Sequence, residues 1–255
     1  MEKRKFWNIF IILAVYIVTI SFPIYLLTND IYVRAGVMLG LRTAYLIFII
    51  LFSIFSKLAK SYNGKPNYKN MFLLMPLFIV AFMNIFYWGV VVHSSFDTIF
   101  QKLSTEGNRS LEIMMLSSIL VTVAEEELLF RYIIQKNLTV GHKILRIIIT
   151  ASIFAGCHVF NLLASYGGIF PPIELLQILL VFGIGIILGF LFEYTNNIFV
   201  PIVFSLIYAL CTDLLFPVEF NGVHYSYYVT VGCFAIGAAA YLLIYYFLML
   251  KKENR

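Results

Sequence analysis

Between Val121 and Tyr132 the chain reads Val-Thr-Val-Ala-Glu125-Glu126-Glu127-Leu-Leu-Phe-Arg131-Tyr, three adjacent carboxylates and a guanidinium inside an otherwise apolar stretch. Each ionisable group within a membrane span costs about 2.5–3.5 kcal/mol on insertion scales, and by default it points to function. Helix geometry divides the acids. Glu127 and Arg131 stand four apart with the acid first, the favoured order for an ion pair on one face. Glu126 is turned about 100° from Glu127, so it faces something else. A carboxylate with no cation beside it in an apolar site suits a general base or a proton carrier. Glu125 takes a third direction, and spacing assigns it no role. The competing account is a structural charge cluster near a cytoplasmic helix end, its long side chains reaching to water. Three adjacent acids with an in-register arginine exceed what anchoring requires.

A second group follows at Phe154-Ala-Gly-Cys-His158. His158 lies about a dozen residues from the expected inside end of its span, and at ~1.5 Å rise per residue that matches the depth of Glu126. An antiparallel neighbour therefore brings imidazole against carboxylate, where the two can hold and deprotonate a water or share a metal. Phe154 lies one turn away on the same face and can wall the site. Alone, a histidine in such a span is more often a hydrogen-bonded core residue; a glutamate at matched depth favours the functional reading. His93, His142 and His224 sit in loops or at span ends and read as ordinary interface residues.

The elements that must position these groups follow from composition. Of 255 residues, 62% are hydrophobic and 12% charged, with mean hydropathy +0.92. A soluble domain carries about 25% charged residues, so the bilayer must be the main solvent. About 20 apolar residues cross the hydrocarbon core as a helix. Eight segments qualify, at 6–28, 35–56, 71–92, 111–135, 144–160, 174–192, 198–215 and 228–250. The first is too long for a signal-peptide core and lacks a small-residue cleavage site, which predicts a retained span. Pro66, Pro171, Pro172 and Pro217 and the pairs Asn63-Gly64, Gly167-Gly168 and Asn221-Gly222 mark connections.

Charge distribution sets the orientation. With the N-terminus in the cytoplasm, the inside segments hold Lys3, Arg4, Lys5, Lys57, Lys60, Lys65, Lys69, Arg131, Lys136, Lys143, Arg146, Lys251, Lys252 and Arg255, fourteen of the eighteen basic residues. Arg34, Arg42, Lys102 and Arg109 are left to the outside segments and their flanks. The expected fold is an all-α, polytopic helical membrane bundle of about eight spans with both termini cytoplasmic, forming a single membrane domain over 1–255. Topology accounts for the net charge of +5, and with no basic stripe interleaved with aromatics, nucleic acid is excluded as a partner. Cys157, Cys211 and Cys233 have no metal-knuckle or redox spacing and read as small hydrophobes. Abundant Ile, Phe, Tyr, Lys and Asn hint at an AT-rich bacterial genome, hence a bacterial plasma membrane.

Glu126-Glu127-x-x-x-Arg131 and Phe154-x-x-x-His158, in order on adjacent spans, resemble the two leading motifs of the CPBP family of intramembrane proteases. These are the CAAX-prenyl-protease-like and bacteriocin-processing membrane proteins, also called the Abi family. The resemblance covers 111–215, the expected catalytic core. It implies hydrolysis of a membrane-associated peptide or protein, with Glu126 and His158 activating water and Glu127–Arg131 in support. Maturation of secreted peptides and bacteriocin self-immunity are the roles it implies in bacteria. A metalloprotease reading would have Glu126 and His158 hold a divalent metal such as zinc.

The family's later motif, His-x-x-x-Asn or His-x-x-x-Asp, is degenerate here. Its positions correspond to Ser205 and Ala209, and Asp213 lies one turn further along the same face. In the family those residues stabilise the oxyanion, and losing one such donor typically costs ~10²–10³ in rate. A pseudoprotease that binds a membrane partner is therefore the alternative to an active endopeptidase. A proton-coupled transporter, the third class, finds no inverted repeat or paired broken helices to support it.

Overall fold

The computed structural model describes residues 3–23, 30–58, 109–166 and 174–209, together with Ile244. Every element among them is helical, as the bilayer requires of a backbone that must satisfy its own hydrogen bonds. In chain order these are α1 (Lys3–Ile20), α2 (Ile31–Phe55), α3 (Arg109–Glu127), a π-helical continuation (Leu128–Gln135), α4 (Lys143–Tyr166), α5 (Glu174–Thr195) and α6 (Phe199–Ala209). Tyr32–Phe55, Lys143–Phe160 and Ile178–Thr195 are long and apolar enough to cross a membrane by length and composition. The expected spans 71–92 and, apart from Ile244, 228–250, with His93, His224, Cys211, Cys233 and Asp213, lie outside the described residues, and with them the expected count of eight. His142 stands exposed in the connection before α4.

The helices are two-faced without being amphipathic in the aqueous sense. On α1, Ile9, Ile12, Tyr16 and Ile20 are buried at spacings of three and four. Phe6, Trp7, Phe10, Ile11, Val15 and Val18 are apolar and exposed, as a lipid-facing surface would be. On α2 the buried set is Arg42, Tyr45, Ile49 and Ser53 in the same rhythm. Asp30 caps α2, accepting hydrogen bonds from the backbone N–H of Tyr32 at 2.8 Å and of Val33 at 3.3 Å. At the other end Lys57 adopts a positive φ of 55°. The N–H groups of Lys57 and Leu58 then donate back to the carbonyls of Ile54 and Ser53, the Schellman arrangement. It turns Leu58 into the core.

Close packing of α4 on α5 rests on two glycines. A Cβ on Gly185 would stand 3.1 Å from Ala151 Cβ, and one on Gly189 would stand 2.9 Å from Ile147 Cγ2. The Gly185-x-x-x-Gly189 pair thus lets the helices meet at backbone distance, as small residues do between membrane helices. The carbonyl of Gly189 accepts from Gln135 Nε2 at 3.0 Å, which ties the π-helical segment to the same seam. Arg146, in the first turn of α4, pairs with Glu193 in the last turn of α5.

The sequence predicts one uninterrupted α-helix over 111–135; the structure departs from it at Leu128. From there to Gln135 the backbone is π-helical, with i→i+5 bonds that widen the turn. Leu129, Phe130 and Arg131 are buried in succession, as are Ile133, Ile134 and Gln135, more than one α-helical face can present. Tertiary packing around all sides of this segment favours the wider turn. Residue types do not announce it, since the segment contains neither Gly nor Pro.

Candidate active site

The three glutamates end α3, and each takes a different partner. Glu125, with no assigned role from the sequence, forms a buried ion pair with Arg42 of α2. Arg42, which the topology count left to the outside segments and their flanks, is a buried group inside a helix, twelfth along α2. Glu127 is 1% exposed and its Oε2 lies 3.3 Å from Nε of the fully buried Arg131. The guanidinium also sits 5.3 Å from the ring centroid of Phe154, a cation–π contact in a desolvated setting. Nη1 and Nη2 have no hydrogen-bond partner among the described residues. Charge and ring contact hold Arg131 in place of a hydrogen-bond network.

Glu126 is the half-buried member of the three. Its Oε1 accepts a 2.8 Å hydrogen bond from the hydroxyl of Tyr16 on α1. Its side chain lines a cavity of about 560 Å³ together with Phe154 and His158 of α4 and Ser205, Tyr208 and Ala209 of α6. Val181, Ile184 and Leu188 of α5 form an apolar wall, and Ser118 and Thr122, on the α3 turns before Glu126, add two hydroxyls. Such a volume and lining, mostly apolar with a few convergent polar groups, are those of a ligand site.

Each side chain reaches the cavity for a local reason. Phe154 and His158 are one turn apart on α4, with ring centroids 4.6 Å apart and edge-to-face. His158 Nδ1 lies 3.0 Å from the carbonyl oxygen of Phe154. A carbonyl only accepts, so Nδ1 carries a proton and donates it, which leaves Nε2 as the ring nitrogen turned to other partners. Phe154 in turn packs edge-to-face on Phe130 at 4.9 Å, which sets α4 against the π-helical segment. On α6, Ser205 and Ala209 stand one turn apart. Asp213 lies outside the described residues.

The donor set is short for a metal. A catalytic zinc takes three protein ligands, and the cavity offers two side chains of ligand type, Glu126 and His158. Among the described residues no cluster of three His, Cys, Asp or Glu side chains exists. Among the described residues, the side chains at the cavity do not fit a zinc ion.

The structure thus brings Glu126, Phe154, His158, Ser205 and Ala209 around one cavity and keeps Glu127 and Arg131 behind it. Sequence reasoning missed Tyr16, Arg42 and Tyr208. Arg42 carried a usable signal, a lone arginine inside an apolar run, which is costly unless paired. A tyrosine in an aromatic-rich membrane helix carries none.

Residues 108–211 match the family model for type II CAAX prenyl endopeptidase Rce1-like proteins. The matched stretch contains both motifs and positions 205 and 209, and it bears out the resemblance those motifs carry. No curated protein and no solved structure gives a match. With several apolar helices and a match to a membrane-protease family, the chain is a multi-pass membrane protein.

Proposed function

We propose that the protein is an intramembrane endopeptidase of the CAAX-protease-like type, cleaving a membrane-associated peptide or protein in a bacterial plasma membrane. The observation that carries this reading is the meeting of Glu126, His158 and the Ser205–Ala209 pair, from three helices, at one cavity. The catalytic core is 111–215 within a single membrane domain, and we assign eight spans with both termini cytoplasmic on the lysine and arginine distribution. Glu126 is the general base. It takes a proton from water as the water oxygen attacks the scissile carbonyl, and the proton passes to the amine as the C–N bond breaks. Nε2 of His158 holds that water. Glu127 and Arg131 fix the helix end that carries Glu126. The hydroxyl of Ser205 stands in for an absent motif donor to the oxyanion, with Tyr208 at the same cavity and Asp213 one turn on as further candidates. Maturation of a secreted peptide or bacteriocin self-immunity is the biological role we assign.

Purified protein in detergent or liposomes, given peptides with apolar or lipidated ends, should cleave them, and Glu126→Gln should abolish cleavage. Normal cleavage by the Gln variant refutes the mechanism. A second reading, a pseudoprotease that binds a membrane partner, is favoured by Ala209, which has no hydrogen-bonding side chain. Full biological activity in a Glu126→Ala, His158→Ala double variant would select it.

A further inference from the structure

We infer that Tyr16 is a positioning residue for Glu126: its hydroxyl fixes one carboxylate oxygen and so leaves the other to take the proton from water. The inference rests on the endopeptidase reading and extends it to α1, which lies outside the matched segment 108–211.

The hydrogen bond joins residues 110 positions apart, Tyr16 Oη to Glu126 Oε1 at 2.8 Å. Tyr16 has no exposed surface and does not line the cavity, so it acts through Glu126 and not on substrate. Its ring is held on two sides, edge-to-face with Phe130 at 5.4 Å and tilted against Tyr45 at 5.6 Å. Tyr45 is itself pinned, its hydroxyl donating to the carbonyl of Ile12 at 3.0 Å, one turn before Tyr16 on α1. The phenol is therefore aimed before any substrate arrives, as preorganised catalytic supports are.

The choice of donor matters as much as its aim. Glu125 has the cation Arg42 and Glu127 has the cation Arg131; Glu126 has a phenol. The hydroxyl of Tyr16 fixes the orientation of the oxygen it binds. With Oε1 bound to Tyr16, Oε2 is the oxygen left for water.

Three variants and two readouts test this. The infrared difference between the protein and Glu126→Gln isolates the carboxyl band of residue 126. In the Tyr16→Phe background that band should shift, because its hydrogen-bond donor is gone. Tyr45→Phe removes a hydroxyl that bonds the α1 backbone and not Glu126 while keeping the ring against Tyr16, and it should shift the band far less than Tyr16→Phe does. With a cleaved peptide in hand, Tyr16→Phe should lower kcat about tenfold, equivalent to ~1.4 kcal/mol, at unchanged KM. An unshifted band in Tyr16→Phe, or an equal shift in Tyr45→Phe, overturns the inference whatever the activity. If no peptide is cleaved by the parent protein, the endopeptidase reading fails separately, and the band still decides whether Tyr16 positions Glu126.

Discussion

Glu127→Gln strands a fully buried guanidinium. The carboxylate oxygen it removes lies 3.3 Å from Arg131 Nε, and at an effective dielectric of about 20 two unit charges at that spacing attract by ~5 kcal/mol. Removing one partner of a buried pair costs about 3–5 kcal/mol, against ~0–1 kcal/mol for a solvent-exposed pair. Arg131 is 0% exposed, and the Phe154 ring offsets only a part, about 2 kcal/mol for a desolvated cation–π contact. A loss of roughly 3 kcal/mol is therefore expected for Glu127→Gln. The double variant Glu127→Leu, Arg131→Met removes both charges and keeps the bulk, and it should recover most of that loss. Reversible unfolding in mixed micelles, followed by tryptophan fluorescence for Glu127→Leu, Arg131→Met, the double variant and the parent, gives the four corners of the cycle, with Glu127→Gln measured beside them. Two results would refute the reasoning: a single-variant loss below about 1 kcal/mol, or a double variant as unstable as the worse single one.

Peptide cleavage should persist in 1,10-phenanthroline and EDTA at concentrations that strip zinc enzymes, since the cavity supplies two ligand side chains where three are needed; loss of activity that added zinc restores would contradict this. Ser205→His with Ala209→Asn rebuilds the degenerate motif at the cavity wall and should raise kcat by up to ~10²–10³, measured on the same peptide. Gly189→Ala should destabilise by about 1–3 kcal/mol through overpacking against Ile147. Gly40→Ala, with nothing within 4 Å of its Cβ position, should be neutral or slightly stabilising in the same unfolding assay.

The parts of the site that lie within one helical turn were readable from spacing. Glu127 with Arg131, and Phe154 with His158, are each four apart, and helix periodicity alone brings them together. The boundaries of α2 and α5 followed from apolar run length, because the bilayer demands a fixed span. α4 extends to Tyr166 where the sequence suggested an end near 160, and α1 closes at Ile20 ahead of the expected 28. Long-range partners were not readable. Arg42 with Glu125 and Tyr16 with Glu126 are separated by 83 and 110 positions, and no local pattern encodes which helix stands beside which. The Gly185-x-x-x-Gly189 seam was legible and overlooked, a small-residue spacing with a known packing consequence. The π-helical turn after Glu127 had no local signal, since it answers to burial on all sides.

The Arg42–Glu125 pair sets a condition on biosynthesis. Arg42 leaves the ribosome 83 residues ahead of its counter-charge, which at 5–20 residues per second is an interval of about 4–17 s. Through that interval α2 holds an unpaired arginine at a cost of ~2.5–3.5 kcal/mol in the hydrocarbon. Until α3 arrives, α2 gains by lingering at the insertion machinery, at the interface, or beside a chaperone. Its release into lipid is thereby coupled to delivery of the helix that bears Glu126. A nascent chain truncated before Glu125 would leave Arg42 without this counter-charge, so the brace on the site forms only once α3 has been made.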